Sequence, residues 1–247
     1  MPLSLLFVCL VGSAVFAQES GNAEKGKETV EELDKLDKGS SLERRQYRNL
    51  TESYKDRVSH GIKLLTIVTA NFGDEIPEAK QTLEKVKKEY QASLRYYYRR
   101  AFIASGKTMA GVDKELNTVL EKFAKNYDAK LQLILSESAD LITNAEQNQL
   151  VESTQEGKSS GSFREISEAT QKLRIAYSQL GLATDMVQAN RFYDAIVHYR
   201  IAKDYGIRIL IDFKDSEADK KAVSDKYAKD LSDNRNQILE GKEAQGK

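Results

Sequence analysis

The chain has 247 residues, 40% apolar and 31% charged, enough to bury one sizeable core or two small ones and unlike a disordered tail. Lys+Arg 38 balance Asp+Glu 38, so no basic excess is present to neutralise phosphates, and a nucleic-acid role loses most of its ground. There is one cysteine and there are two prolines, and only Pro77 lies where it can interrupt a helix.

Residues 3–17 form an apolar run ending in Val15-Phe16-Ala17 and followed by Gln18-Glu19-Ser20, the form of an export signal cleaved after Ala17. About 15 apolar residues fall short of the ~20 needed to span a membrane, so no transmembrane segment is expected in the mature chain. Cys9 would leave with the signal, so the mature protein would have no thiol for a disulfide or a metal site. Residues 18–39 are polar and charged and read as a flexible leader.

Residues 40–156 read as a long-helix module. Ser40-Ser-Leu-Glu43 has the form of a capping box, in which a serine and a glutamate three residues on satisfy free amides at a helix start. The stripe Tyr47, Leu50, Tyr54, Val58, Gly61, Leu65, Val68, Phe72 then steps by threes and fours, as a buried helix seam does, until Gly73-Asp74. Pro77 suits the first turn of a second helix, whose pattern Leu83, Val86, Tyr90, Leu94, Tyr97, Ala101 runs to a stop at Gly106. A third, from Thr108 to about Glu156, carries Val112, Leu116, Val119, Phe123, Tyr127, Ile134, Leu141 and Ala145 without a proline, so an elongated molecule is expected.

Gln155 to Ser162 reads as a linker, assigned to residues 157–162, with a second capping box at Ser162-Phe-Arg-Glu165 opening a module over 163–240. A fourth helix shows Ile166, Ala169, Leu173, Ala176, Leu180 and Ala183; Asn190 separates it from a fifth that extends past Gly206 toward Phe213. In this pair Leu182 and Ala183, then Phe192, Ala195, Tyr199 and Ala202, follow the alternation of large, small and aromatic contact positions of a tetratricopeptide-type helical pair, though Ile207 stands near the place of its closing proline. A charged final helix follows Asp215-Ser216, and residues 241–247 read as a disordered tail. No alternating strand pattern of useful length occurs, so the fold class expected is all-α: an elongated bundle of long antiparallel helices with a C-terminal tetratricopeptide-like module.

Motifs of chemistry are scarce. No phosphate loop, HExxH or Ser-x-x-Lys is present, so no catalytic, cofactor-binding or metal-binding residues and no cofactor are assigned. His198 and Asp194, like His60 and Asp56, sit four apart on one helical face, as ordinary surface pairs do. The unusual cluster is Arg95-Tyr-Tyr-Tyr-Arg-Arg100. Three consecutive tyrosines wrap around a helix and cannot all enter one core, so Tyr97 is assigned to the buried stripe. Arg95, Tyr96, Tyr98, Arg99 and Arg100 are then candidates for a protein-binding surface, where tyrosine and arginine concentrate binding energy.

An export signal, the cluster from Tyr96 to Arg100, and Phe192-Tyr-Asp-Ala-Ile-Val-His-Tyr-Arg200 with its extension through Asp212-Phe213 together resemble the flagellar-coiling sheath proteins of spirochaete periplasmic flagella. The similarity covers the whole chain in character and rests on no exclusive motif. It implies a non-enzymatic, cofactor-free periplasmic structural protein, whose partners are the flagellar filament, other sheath proteins or further copies of itself. The same helical pair also fits a periplasmic tetratricopeptide-like adaptor that binds a peptide or envelope protein.

Overall fold

The computed structural model describes residue 35, residues 37–153, 160–214 and 216–235. The signal, most of the leader, the greater part of the Gln155–Ser162 linker and the tail lie outside the described residues. Within them every regular element is helical: α1 (Ser41–Phe72), a 3-10 turn (Gly73–Glu75), α2 (Ala79–Tyr98), α3 (Phe102–Ser153), α4 (Ser160–Gln188), α5 (Phe192–Asp212), α6 (Glu217–Lys226) and α7 (Ala228–Arg235).

Local chemistry sets the ends of these helices. Ser40 caps α1: its hydroxyl accepts from the Glu43 amide at 3.2 Å, and the Glu43 carboxylate accepts from the Ser40 amide at 2.8 Å. Pro77 lies in the turn ahead of α2 and not in its first helical turn, because the helix opens at Ala79 behind Glu78. The second helix also stops earlier than expected. It ends at Tyr98, and Gly106, expected as its stop, is buried inside α3.

That break is built by hydrogen bonds. Ala101 N–H reaches back to Tyr96 O at 2.9 Å and Arg100 N–H to Tyr97 O at 3.0 Å, the paired bonds of a Schellman ending. Arg100 holds the left-handed position at φ 65°. The α4–α5 corner repeats the device, with Arg191 N–H to Met186 O at 2.8 Å, Asn190 N–H to Val187 O at 3.0 Å and Asn190 at φ 55°. Asparagine tolerates this conformation; arginine does so at greater cost.

With its start moved to Phe102, α3 has 52 residues and a length of about 78 Å at ~1.5 Å per residue. It packs against α1, α2, α4 and α5, and it contributes to each of three apolar clusters. The largest joins Leu64, Leu65, Val68 and Phe72 of α1 and Val86 of α2 to Leu116, Leu120, Phe123 and Leu131 of α3 and to Ala195, Ile196 and Ala202 of α5. Helices from before and after the Gln155–Ser162 stretch therefore share one apolar cluster. Each large side chain buried here contributes about 1.5–3 kcal/mol.

The chain enters α4 no later than Ser160, so Ser162 lies inside the helix and is not its cap. One expected packing residue is displaced. Ala183, Ala195 and Ala202 are fully buried, Tyr199 and Phe192 nearly so, but Leu182 is 39% exposed. A helix turns ~100° per residue, and the buried row Ile166, Ala169, Ala176, Ala183 leaves position 182 off to one side. The end of the leader, in contrast, is docked. Asp37 is 4% exposed, its Oδ1 accepts from the Ile103 amide at 2.7 Å, and its carboxylate pairs with Arg44 at 3.1 Å. A carboxylate thus stands on the free amides at the start of α3, where the helix dipole favours it.

Candidate functional site

The Tyr/Arg cluster lies where the start of α1, the end of α2 and the start of α3 meet. Beneath it a buried knot of hydroxyls joins the three helices. Ser93 Oγ donates to Ser105 O at 2.9 Å, Ser105 Oγ donates to Ser93 O at 2.9 Å, and Thr51 Oγ1 and Ser105 Oγ share a bond at 3.1 Å. All three residues are buried and bonded, so their hydroxyls add order without leaving a buried polar group unpaired. Gly106 brings α3 against α1: a Cβ there would lie 2.9 Å from Tyr47 O and 2.8 Å from Tyr47 Cβ.

On this base the aromatic side chains divide between helix and solvent. Tyr97 is half-buried, with its ring edge-on to Phe102 at 5.7 Å and to Tyr98 at 5.6 Å, and its hydroxyl donates to the Glu52 carboxylate. Glu52 also pairs with Arg48 at 3.1 Å, and the Arg48 guanidinium lies over Phe102 at 5.7 Å. The Tyr97 hydroxyl, with Arg48 behind it, holds the Glu52 carboxyl below its ordinary range, and Glu52 in turn raises the Tyr97 phenol. Tyr96 is half-buried, Tyr98 is 70% exposed, and Arg95, Arg99 and Arg100 are exposed. The five candidates share one corner of the molecule, with only Tyr96 drawn partly inward.

The left-handed Arg100 tests whether this corner is kept for stability. Arg100→Gly is expected to raise the unfolding free energy by about 0.5–1 kcal/mol, since glycine carries no Cβ penalty there. Urea denaturation followed by circular dichroism measures it, and an unchanged or lower midpoint would contradict the strain argument.

The α4–α5 pair is tight but offers little reactive chemistry. Ala183, Ala195 and Ala202 allow close approach, and His198 Nδ1 meets Gln179 Oε1 at 2.8 Å across α4 and α5. The expected His198–Asp194 pairing is replaced by this contact, with Asp194 bound instead by Arg191 at 2.8 Å. Burial, followed by Asp128, pushes the Tyr199 phenol up to about 12.

A second cluster was not apparent from sequence. Arg200 and Lys203 of α5 point beneath α7, where Arg200 Nε lies 3.0 Å from Asp233 Oδ2 and Lys203 Nζ lies 2.6 Å from Asp230 Oδ1. Asp233 is fully buried. It accepts from the Tyr127 hydroxyl at 2.5 Å and from Asn71 Nδ2 at 2.9 Å, so three helices converge on one carboxylate. The Lys203 ammonium approaches Asp230 off the hydrogen-bond direction, which makes that contact coulombic, and it sits over the rings of Tyr127 at 4.2 Å and Phe72 at 4.7 Å. Burial lowers the Lys203 ammonium against the pull of Asp230, and burial together with the Asp233 charge holds the Tyr127 phenol well above its usual value. The only sequence trace is a matched spacing: cations at 200 and 203, carboxylates at 230 and 233.

Among the described residues no group of three or more His, Cys, Asp or Glu is placed to hold a metal ion, and no helix is long and apolar enough to cross a membrane. An open depression of about 340 Å3 bordered by Asp113, Lys114, Asn117, Glu121, Asn190 and Phe192 presents no convergent reactive groups. No family model, curated protein or solved structure matches this chain. What the geometry offers is surface: a rigidly seated Tyr/Arg corner at one end of a long helix, and a buried ionic clasp that fixes the C-terminal helix.

Proposed function

We propose that the chain is a non-catalytic structural protein of the periplasm, a sheath component that coats the periplasmic flagellar filament and supports its coiling and motility. The observation that carries the structural reading is the Tyr/Arg corner, with Tyr98 70% exposed and three exposed arginines seated on a bonded base. Tyrosine and arginine there offer large contact area with polar ends, suited to recognition by shape and charge. The filament-coating form of the reading comes from the resemblance to flagellar-coiling sheath proteins, and with it come export and an elongated antiparallel bundle bearing a tetratricopeptide-like module. Zero formal charge suits lateral packing, since neighbouring copies repel little at long range.

Changing Tyr96, Tyr98, Arg99 and Arg100 together to alanine is expected to leave helicity intact and to abolish incorporation into envelope assemblies. Circular dichroism and a pull-down from the native envelope measure the two effects. Normal incorporation of a folded variant would sink the assignment. A second reading, a periplasmic adaptor that holds a peptide or envelope protein on α4 and α5, draws support from the small-residue contacts of Ala183, Ala195 and Ala202. Under it the four alanines are silent.

A further inference from the structure

Charge is distributed unevenly between the α2–α3 corner and the far end of α3, and this bears on the partner of the Tyr/Arg corner. From residue 95 to 107 the chain carries Arg95, Arg99, Arg100 and Lys107 and no acidic residue; from 131 to 153 it carries Glu137, Asp140, Glu146 and Glu152 and no basic one. The basic stretch spans the end of α2, the corner and the start of α3, and the acidic stretch lies toward the far end of α3. From Phe102 to Glu146 is about 65 Å at ~1.5 Å per residue, several times the ~10 Å over which exposed charges act in ordinary salt. Their complementarity cannot be satisfied within one molecule.

The acidic stretch also exposes apolar surface. Leu133, Glu137 and Asp140 are spaced four and three apart on one exposed stripe, and Leu133 is 73% exposed. Glu146 and Leu150 are four apart on another, with Leu150 70% exposed. Phe163, 66% exposed, opens the neighbouring α4, which packs here through Ile166 and Ala169 on Ile142. Lys226 stands near Glu137, and Arg164 is taken by Glu168 at 2.9 Å. Asp140 and Glu146 form no ion pair among the described residues, nor do Arg95 and Arg100 at the other end. Each end thus combines charge without an ion pair among the described residues, Arg95 and Arg100 at one and Asp140 and Glu146 at the other, with a large exposed apolar group, and the signs are opposite.

We infer that the Arg95–Arg100 corner of one copy docks on the acidic, leucine-bearing part of α3, around Leu133 to Leu150, of a second copy. Such a contact joins two different surfaces and leaves one of each free, so it propagates as an open head-to-tail chain and does not close on itself. The inference rests on the proposed structural role and names the partner of the same corner.

The test is sedimentation velocity of the purified protein over a range of concentrations, at about 20 mM and about 300 mM salt. The wild type is expected to self-associate at low salt and to weaken at high salt. Arg95→Glu/Arg100→Glu should weaken association at least about tenfold, and Asp140→Lys/Glu146→Lys should do the same. Each variant keeps one native end and cancels the net charge of the other, so neither has a complementary pair of ends. Mixing the two variants one to one restores opposite ends and should restore assembly, which misfolded variants could not do. A wild type that stays monomeric under all conditions overturns the inference, as does association that neither reversal disturbs or a mixture that stays dissociated. If the protein is monomeric while the four-alanine variant still loses envelope incorporation, self-docking is wrong and the structural role stands. If the mixture assembles while the four-alanine variant enters envelope assemblies normally, the structural role fails instead.

Discussion

Replacing Asp233 with alanine is expected to lower the unfolding free energy by about 3–5 kcal/mol. The side chain is fully buried, and four groups depend on it or on its charge: the Arg200 guanidinium, the Tyr127 hydroxyl, the Asn71 amide and, at longer range, the Lys203 ammonium. Alanine leaves the cations in a low-dielectric site with one carboxylate fewer, and the cost is mainly that of charge stranded without its counterion. α6 has no buried residue, and Val223, Tyr227 and Leu231 pack only partly buried against Ile134, Ile207 and Leu210, so Asp233 is a main attachment of α7. Urea denaturation should show the loss, and limited proteolysis should show cleavage moving into residues 213–235. Removing the cation as well, as in Asp233→Leu/Arg200→Met, should regain much of the loss. A single variant within about 1 kcal/mol of wild type would mean that the clasp does not hold the C-terminal helix.

Gly106→Val is expected to destabilise the protein by about 2–3 kcal/mol, with Gly106→Ala smaller but of the same sign. Alanine inside a helix normally gains about 1 kcal/mol over glycine, so a loss would run against propensity. The reason is the crossing of α3 over α1: a Cβ at 106 would stand 2.9 Å from the Tyr47 carbonyl oxygen and 2.6 Å from Tyr47 Cδ1. Backbone cannot rotate away as a side-chain tip can, so the helices must part. Gly111 in the same helix is the control. Nothing lies within 4 Å of a Cβ placed there, and Gly111→Ala should stabilise by about 0.5–1 kcal/mol. Denaturant midpoints for the variants decide it; equal gains at both glycines would remove the steric argument.

Much of the fold was legible because the signals were local and periodic. The capping box at Ser40 and Glu43 involves only neighbours, and the stripe from Val58 to Phe72 repeats every three or four residues, so both are found as expected. Asn190, a residue that favours the left-handed region, marks its corner just as plainly. The misses share a different cause. Gly106 reads as a stop, but its meaning depends on Tyr47, 59 positions away, and the true stop is an arginine that no propensity scale would select. Leu182 was expected to pack beside Ala183, but one position on a helix is enough to turn a side chain from neighbour toward solvent. Within the candidate corner, composition alone identified the Tyr/Arg residues, whereas the ion cluster of Arg200, Lys203, Asp230 and Asp233 depends on a return of the chain that no window over the sequence includes.

The reach of α3 also governs the order in which the protein can be made. Phe123, Tyr127, Leu131 and Leu135 are on the chain long before the α5 residues that cover them, Ala195, Ile196 and Ala202. During synthesis the part of this strip that α1 and α2 do not already cover therefore waits for about 60 residues of further translation. A nascent chain of this design needs either speed or a protective companion until its second half arrives.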